Sequence, residues 1–224
     1  MDIVSSSDSS VLVVFGHAIS LDNHERVMSL FLALQRRNDP RVRNLHPGYA
    51  SLLIDFDPLR LSHEEAASLV QKLAGAGLPG YAPEKNLVTI PVCYDLQFGP
   101  DLQDVAAHAK MPISEVIRLH SSTIYQVHFL GFIPGFAYLG GLPGALHVPR
   151  LKTPRKHVPA GTVAIANGQA GIYPIDSPGG WRLIGRTPVR IFDAQATVPT
   201  RVAPGELMKF SVIDHATFHA TVQL

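Results

Sequence analysis

The chain has 224 residues, of which 46% are hydrophobic and 17% charged, with a formal net charge of +1. That balance describes a soluble globular chain able to bury one large or two small cores, and it excludes the disordered class. It also excludes broad nucleic-acid binding, which needs a basic face to neutralise phosphates.

After a polar, serine-rich start, Val11 to Phe15 is a short apolar run suited to a buried strand. The run is too short for the core of a secretory signal, and nothing approaches the roughly 20 apolar residues of a membrane span, so a cytoplasmic chain is expected. Asp22 and Glu25 stand at capping-box spacing before a helix whose stripe is Val27, Leu30, Phe31 and Leu34. The segment Arg41 to His46, the Pro47-Gly48 turn and the alternating run Tyr49 to Phe56 predict two strands. Ser62 and Glu65 open a second helix with the stripe Ala66, Leu69, Val70 and Leu73, stopped by Gly75 or Gly77. Leu87 to Val92 then supplies a closing strand. The order β-α-β-β-α-β is that of a ferredoxin-like plait, an α+β domain over residues 1–90. Gly75, Gly77, Pro79, Gly80 and Pro83 cluster at its end, so proteolysis is expected to nick the chain between residues 76 and 86.

A second domain is expected over residues 91–224. Asp101 to Lys110 and Pro112 to Ser121 predict two helices, a helical insertion near 101–121. Asp104 to Ser114 looks like half of a DNA-binding helix-turn-helix, but Pro112 occupies the turn and Arg118 is the sole cation that follows, which favours a structural helical pair. From Ile124 onward the chain reads as almost all β, with strands at Thr162 to Ala166, Ile172 to Ile175, Val189 to Phe192 and Lys209 to Ile213, a pattern that suggests a barrel. His215 and His219 have H-x-x-x-H spacing beside Asp214, yet Ala216, Thr217 and Phe218 favour a strand or irregular edge. Metal ligation by that pair would require a helix, so no metal site is assigned. The single cysteine, Cys93, excludes an intramolecular disulfide and reads as a small apolar strand residue in a reducing compartment.

Residues 128–188 are the most informative. Pro134, Pro143, Pro149, Pro154, Pro159 and Pro174 rule out a helix, and Pro134-Gly135, Pro143-Gly144 and Pro178-Gly179-Gly180 mark tight turns. No G-x-x-x-x-G-K-[ST] phosphate loop, G-x-S-x-G elbow or biotin-attachment segment is present, and Ser177 reads as the opening of a turn. What remains is a constellation for a small anion. Arg150, Arg155, Arg182 and Arg186 offer bidentate guanidinium groups, and Gln169 and Tyr173 can orient a carbonyl or amide. Phe132, Phe136 and Trp181 can wall the pocket, while Gly179 and Gly180 can leave backbone N–H groups free as an anion nest. The alternative is that the arginines form ion pairs and the aromatics are core. With His128 as a lining residue, the candidate substrate-binding set is His128, Phe132, Arg150, Arg155, Gln169, Tyr173, Trp181 and Arg182; no nucleophile or base is assigned. Arg155, between rigid prolines, is expected to be functional and replaceable by alanine without loss of folding.

Several motifs occur together in order: His128-Phe129-Leu130-Gly131-Phe132-Ile133-Pro134-Gly135-Phe136-Ala137-Tyr138-Leu139, Pro149-Arg150-Leu151, Pro154-Arg155 and Val158-Pro159-Ala160-Gly161. Gly171-Ile172-Tyr173-Pro174 and Ser177-Pro178-Gly179-Gly180-Trp181-Arg182-Leu183-Ile184-Gly185-Arg186-Thr187-Pro188 complete the set. In these the chain resembles the KipI, or allophanate hydrolase subunit 1, family. The resemblance implies that the second domain is a cyclophilin-like β-barrel. It implies a heteromeric hydrolase, with this chain as the B-type component of a 5-oxoprolinase that opens 5-oxo-L-proline to L-glutamate. ATP would be the co-substrate bound by the complex. The implied partners are a homologous C-type (KipA-like) subunit and an A-type subunit, with the lone chain inactive. Two other readings follow from the same resemblance: a regulator inhibiting a sensor histidine kinase, and a carboxyltransferase or allophanate hydrolase-type subunit acting on urea-like amides.

Overall fold

The serine-rich start is a strand. In this computed structural model, which describes residues 1–78, 80–81 and 86–222, β1 (Asp2–Ser7) runs antiparallel to β2 (Ser10–Val14). Helix α1 (Leu21–Arg37) follows, capped by the Ser20 hydroxyl, which accepts the Asn23 N–H at 3.2 Å; the cap is therefore Ser20, and the expected Asp22/Glu25 box does not form. β3 (Val42–Pro47) and β4 (Ser51–Phe56) form the hairpin foreseen. Helix α2 (His63–Gly75) carries the expected Ser62/Glu65 capping box. Val11 and Val13 of β2, Leu52, Ile54 and Phe56 of β4, Val27, Leu30 and Leu34 of α1, and Leu69 and Val70 of α2 share one core.

The antiparallel sheet order is β1-β2-β4-β3. Element order is therefore β-β-α-β-β-α, and the expected closing strand at 87–92 is not part of this sheet. β1 takes the edge beside β2 instead. Only Ile3 of β1 packs against the core, so the strand has no hydrophobic alternation to announce it. This unit spans Met1–Pro83 and a second spans Glu84–Leu224. The expected nicking region falls partly on Pro79 and residues 82–85, which lie outside the described residues.

In the second unit β5 (Leu87–Cys93), β6 (Ile124–Leu130), β7 (Ala137–Gly140), β9 (Thr162–Ala166), β10 (Gln169–Ile172), β12 (Arg182–Arg186) and β13 (Leu207–Ile213) close a barrel in the order β10-β7-β6-β13-β5-β12-β9. β5 lies parallel to β13, from Leu87 opposite Leu207 to Cys93 opposite Ile213. A parallel pair requires a long crossover, here nearly the whole barrel, so local reading misassigned β5 to the first unit. Cys93 is a buried free thiol whose pKa burial raises. Helices α3 (Leu102–Ala109) and α4 (Ile113–Ser122) form the expected insertion. β8 (Arg155–Val158) and β11 (Ser177–Gly179) make a separate two-stranded ribbon. Two expected strands change. Phe192 makes only an isolated bridge to Thr200, and β10 ends at Ile172. The chain from His215 to Val222 is a helix, α5, because the Asp214 carboxylate accepts the Thr217 N–H at 2.7 Å and caps it. No described helix is long and apolar enough to cross a membrane.

Side chains fill the barrel: Val92, Tyr125, Val127, Leu139, Val163, Ile165, Ile184, Met208 and Phe210 all belong to one core. At one end His120 of α4 is fully buried, its Nδ1 2.7 Å from the Tyr94 hydroxyl and its ring stacked on Phe210 at 4.6 Å. Burial lowers the His120 pKa to about 3. The folded chain holds this imidazole neutral, whereas the unfolded chain protonates it near pH 6.5. Its contribution is thus complete above that pH and is lost as pH falls toward the folded value. Acidification from pH 6.5 to 5 should weaken the barrel unit by on the order of 2 kcal/mol through this group. Thermal melts across that range test this: His120→Phe should fall off less steeply, and an unchanged slope would remove His120 as the cause.

Candidate functional site

β9 is buried along its whole length because both of its faces are covered. Val163 and Ile165 point into the barrel, while Ala164 and Ala166 join an outer cluster with Phe136, Val158, Tyr173, Trp181 and Leu183. Small residues on the outward face leave room for a layer of rings. Trp181 stands edge-to-face with Phe136 at 5.4 Å and with Tyr138 at 5.8 Å, and Phe136 meets Tyr173 at 5.2 Å. Burial raises the pKa of both Tyr138 and Tyr173, so both hydroxyls are neutral donors at ordinary pH.

Two features at the margin of this layer face outward. The Arg150 guanidinium lies 5.8 Å from the Trp181 ring centroid, a cation–π arrangement. Among the described residues no carboxylate is within ion-pair distance of Arg150. The second is Phe132, 60% exposed at φ +66°. The Ile133 N–H donates to the Gly131 carbonyl at 2.8 Å, closing a γ-turn of the rare, strained hand around Phe132. A type II turn follows at once, with Phe136 N–H donating to Ile133 O at 3.1 Å and Gly135 at φ +82°. The Gly-Phe-Ile-Pro-Gly-Phe motif therefore folds into two consecutive tight turns that hold an exposed aromatic in a conformation few residues adopt.

Beside the layer lies a cleft of about 760 Å³. Tyr173 belongs to the layer, and the next residues, Pro174, Ile175 and Asp176, belong to the cleft wall with Ala160, Gly161, Arg186 and Thr187. The wall is knit by Gly161 N–H to Tyr173 O at 2.7 Å and Thr187 N–H to Gly161 O at 2.9 Å. Arg186 Nε donates to Ala160 O at 2.8 Å, which aims the guanidinium along the wall. Three motif segments thus converge on one cleft. Their density was visible in the sequence; the roles of Pro174, Asp176 and Phe192 in the wall were not.

The eight candidate residues separate. Phe132, Arg150, Tyr173 and Trp181 gather around the aromatic layer. His128 is buried at a bulge in β6 where the ladder to β7 slips between Val127 and Phe129, and its ring packs over Gly140. Burial lowers its pKa to about 4, which makes it a neutral imidazole. Gln169 opens β10 beside the Asn167-Gly168 hairpin turn, four residues and roughly 13 Å of extended strand from Tyr173. Arg155 is bound to Asp101 at 2.6 Å, and Arg182 to Asp104 at 3.2 Å. These two arginines tie β8 and β12 to the α3 segment. Asp101 also accepts the Leu183 N–H at 2.7 Å, so its carboxylate anchors three elements at once.

The His128 packing gives a direct test. A methyl group at Gly140 would collide with the His128 imidazole, held at a bulge with little freedom to yield. Gly140→Ala should therefore destabilise the barrel unit by about 1–3 kcal/mol, read by thermal or denaturant unfolding. A neutral result would mean the ring moves freely, and His128 would lose its fixed place.

A closed, side-chain-filled β-barrel accompanied by a separate four-stranded sheet with two helices defines the class of protein. The chain belongs to the family of the carboxyltransferase domain, subdomain C and D, whose model matches residues 1–202. It is 35% identical to the B-type component of the 5-oxoprolinase of Bacillus subtilis, over 95% of this chain and 93% of that protein. It superimposes on the crystal structure of TTHA0988 with a TM-score of 0.81 and 36% identity, covering 92% of this chain but 40% of that one. The chain thus spans less than half the length of that solved relative. The urea carboxylase of Kluyveromyces lactis matches 99% of this chain and 22% of its own at a TM-score of 0.80, but at 17% identity that likeness shows the fold alone.

Proposed function

We propose that the chain is the B-type component of a cytoplasmic, multi-subunit 5-oxoprolinase, a hydrolase that opens 5-oxo-L-proline to L-glutamate with ATP as co-substrate of the complex. The observation that carries the reading is the near end-to-end similarity to the Bacillus subtilis protein named for that role. Its partners in this reading are a homologous C-type (KipA-like) subunit and an A-type subunit, and the barrel is the cyclophilin-like unit. The chain has no phosphate loop, so the nucleotide is assigned to the assembled complex.

The geometry suits such a substrate. 5-Oxoproline is a flat lactam bearing a carboxylate. Arg150 offers an uncommitted fork for the carboxylate, the exposed Phe132 offers a face for the ring, and the half-buried Tyr138 carries a neutral hydroxyl of the kind an amide oxygen accepts. Buried Trp181 and Tyr173 support that surface from beneath. The lactam is a poor electrophile. Phosphorylation of its oxygen creates a leaving group, a step carried by positioning and by cations around the developing charge. Arg150 and Arg186 are the cations proposed for that task, with Arg155 and Arg182 as the frame behind them.

The test is reconstitution. The purified chain alone should release no substantial ADP with 5-oxoproline, and the chain co-expressed with both partner subunits should release ADP and glutamate together. Robust turnover by the lone chain would overturn the division of labour. A co-purifying complex inert toward 5-oxoproline would sink the substrate.

A further inference from the structure

Helix α5 places two imidazoles side by side at the edge of the cleft. His215 and His219 are four residues apart and therefore share one helix face. Their Nε2 atoms are 3.3 Å apart, with ring centroids at 4.4 Å. Two imidazole nitrogens bound to one tetrahedral zinc at about 2.0–2.1 Å stand roughly 3.3–3.4 Å apart. The pair already has the separation of a chelate. It is also supported from below: Phe98 stacks on the His215 ring at 5.6 Å and 18°, and packs on Phe218 at 4.3 Å. Phe98, Phe218 and His219 all line the cleft.

We propose that His215 and His219 form a binding site for a divalent transition-metal ion of the zinc class, open toward the cleft. Among the described residues no group of three or more His, Cys, Asp or Glu side chains is arranged to hold a metal. Two of four tetrahedral positions are therefore left to water or to an oxygen of a molecule in the cleft, one more than in a zinc site with three protein ligands, so the ion is held by a two-histidine chelate and not sealed in. Imidazole nitrogens select zinc, nickel or copper over magnesium and calcium, which take oxygen ligands. The site is accordingly distinct from any magnesium that accompanies ATP. With Arg186 and Arg190 in the same cleft wall, set against the one carboxylate of Asp176, the ion adds further positive charge to a cavity that can take an anion. The site stands independently of the oxoprolinase reading.

The competing explanation of the 3.3 Å separation is a hydrogen bond between two neutral imidazoles, and metal binding separates the two. Calorimetric titration of the tag-free chain with zinc should give saturable binding of one ion per chain, undisturbed by excess magnesium. Even outer-sphere partners are worth about 10–100-fold in affinity, so His215→Gln and His219→Gln should each weaken binding at least about tenfold. His108→Gln, at an exposed position on α3, should leave it unchanged. Cobalt should report the same ligands through visible absorption that disappears in the two α5 variants. Absence of saturable zinc binding by the unmodified chain overturns the site without recourse to any variant. Full-strength binding in both α5 variants, with unchanged melts, overturns it as well.

Discussion

Arg155→Ala should lower the stability of the barrel unit by about 2–4 kcal/mol, equivalent to roughly 5–15 °C in melting temperature. The Asp101 side chain is 6% exposed and is left without its cationic partner when Arg155 is truncated, whereas Arg155 is 29% exposed. Removing one member of a fully buried pair costs about 3–5 kcal/mol, and solvent access on the arginine side reduces that figure. Asp101 retains the Leu183 N–H, which limits the loss further. Arg155→Lys should recover part of the stability, since a point charge satisfies the carboxylate less well than a guanidinium. Lys156→Ala, one residue along on the exposed side of β8, should change stability by no more than about 0.5 kcal/mol. The ion pair thus alters the expectation from sequence that alanine at 155 spares the fold. If Arg155→Ala and Lys156→Ala melt together, the Asp101 pair contributes nothing and Arg155 is free to face a ligand.

The contrast between Arg155 and Arg150 shows where sequence reasoning runs out. Both lie in Pro-flanked motif segments, and nothing local distinguishes them. What separates them is Asp101, 54 positions before Arg155, and Asp104, 78 positions before Arg182. Neither pairing is encoded in a window of neighbouring residues. Elements with local signals were legible: the Ser62/Glu65 box gave α2, and the apolar run at 162–166 gave β9. The two faces of β9 were not legible, because a strand buried on both sides reads as a plain apolar run. β1 was hidden because it offers one core residue among serines, and β5 because its parallel partner arrives only at the end of the barrel. α5 was misread for a related reason. Thr217 and Phe218 have modest helix propensity, but the Asp214 cap overrides them. That cap was readable as Asp followed three residues later by Thr, and it converts the H-x-x-x-H spacing from an irregular edge into a chelating face.

Arg150→Ala should leave the melting temperature within about 2 °C of the parent, since the side chain is exposed and no carboxylate among the described residues depends on it. In the reconstituted complex the same change should reduce 5-oxoproline-dependent ADP release by roughly thirtyfold to several thousandfold, the range for removing one partner of a desolvated charge pair. The Arg150 guanidinium lies 5.8 Å from the Trp181 ring centroid with no carboxylate partner among the described residues, which leaves its five N–H donors for an incoming carboxylate or phosphate. Arg150→Lys keeps a cation above the ring but loses the fork, so it should recover only part of the activity. Trp181→Phe should weaken the cation–π platform and give an intermediate defect, together with a loss of stability from the space left in the buried outer cluster. The decisive comparison is the split between KM and kcat. A residue that binds the substrate carboxylate equally in ground and transition states raises KM alone, whereas one that meets charge developing on a phosphorylated lactam lowers kcat. Unchanged kinetics in Arg150→Ala would remove this arginine from the site. Loss of co-purification with intact binding of 5-oxoproline would place it at a contact between subunits, where the same uncommitted fork would grip a carboxylate of the partner.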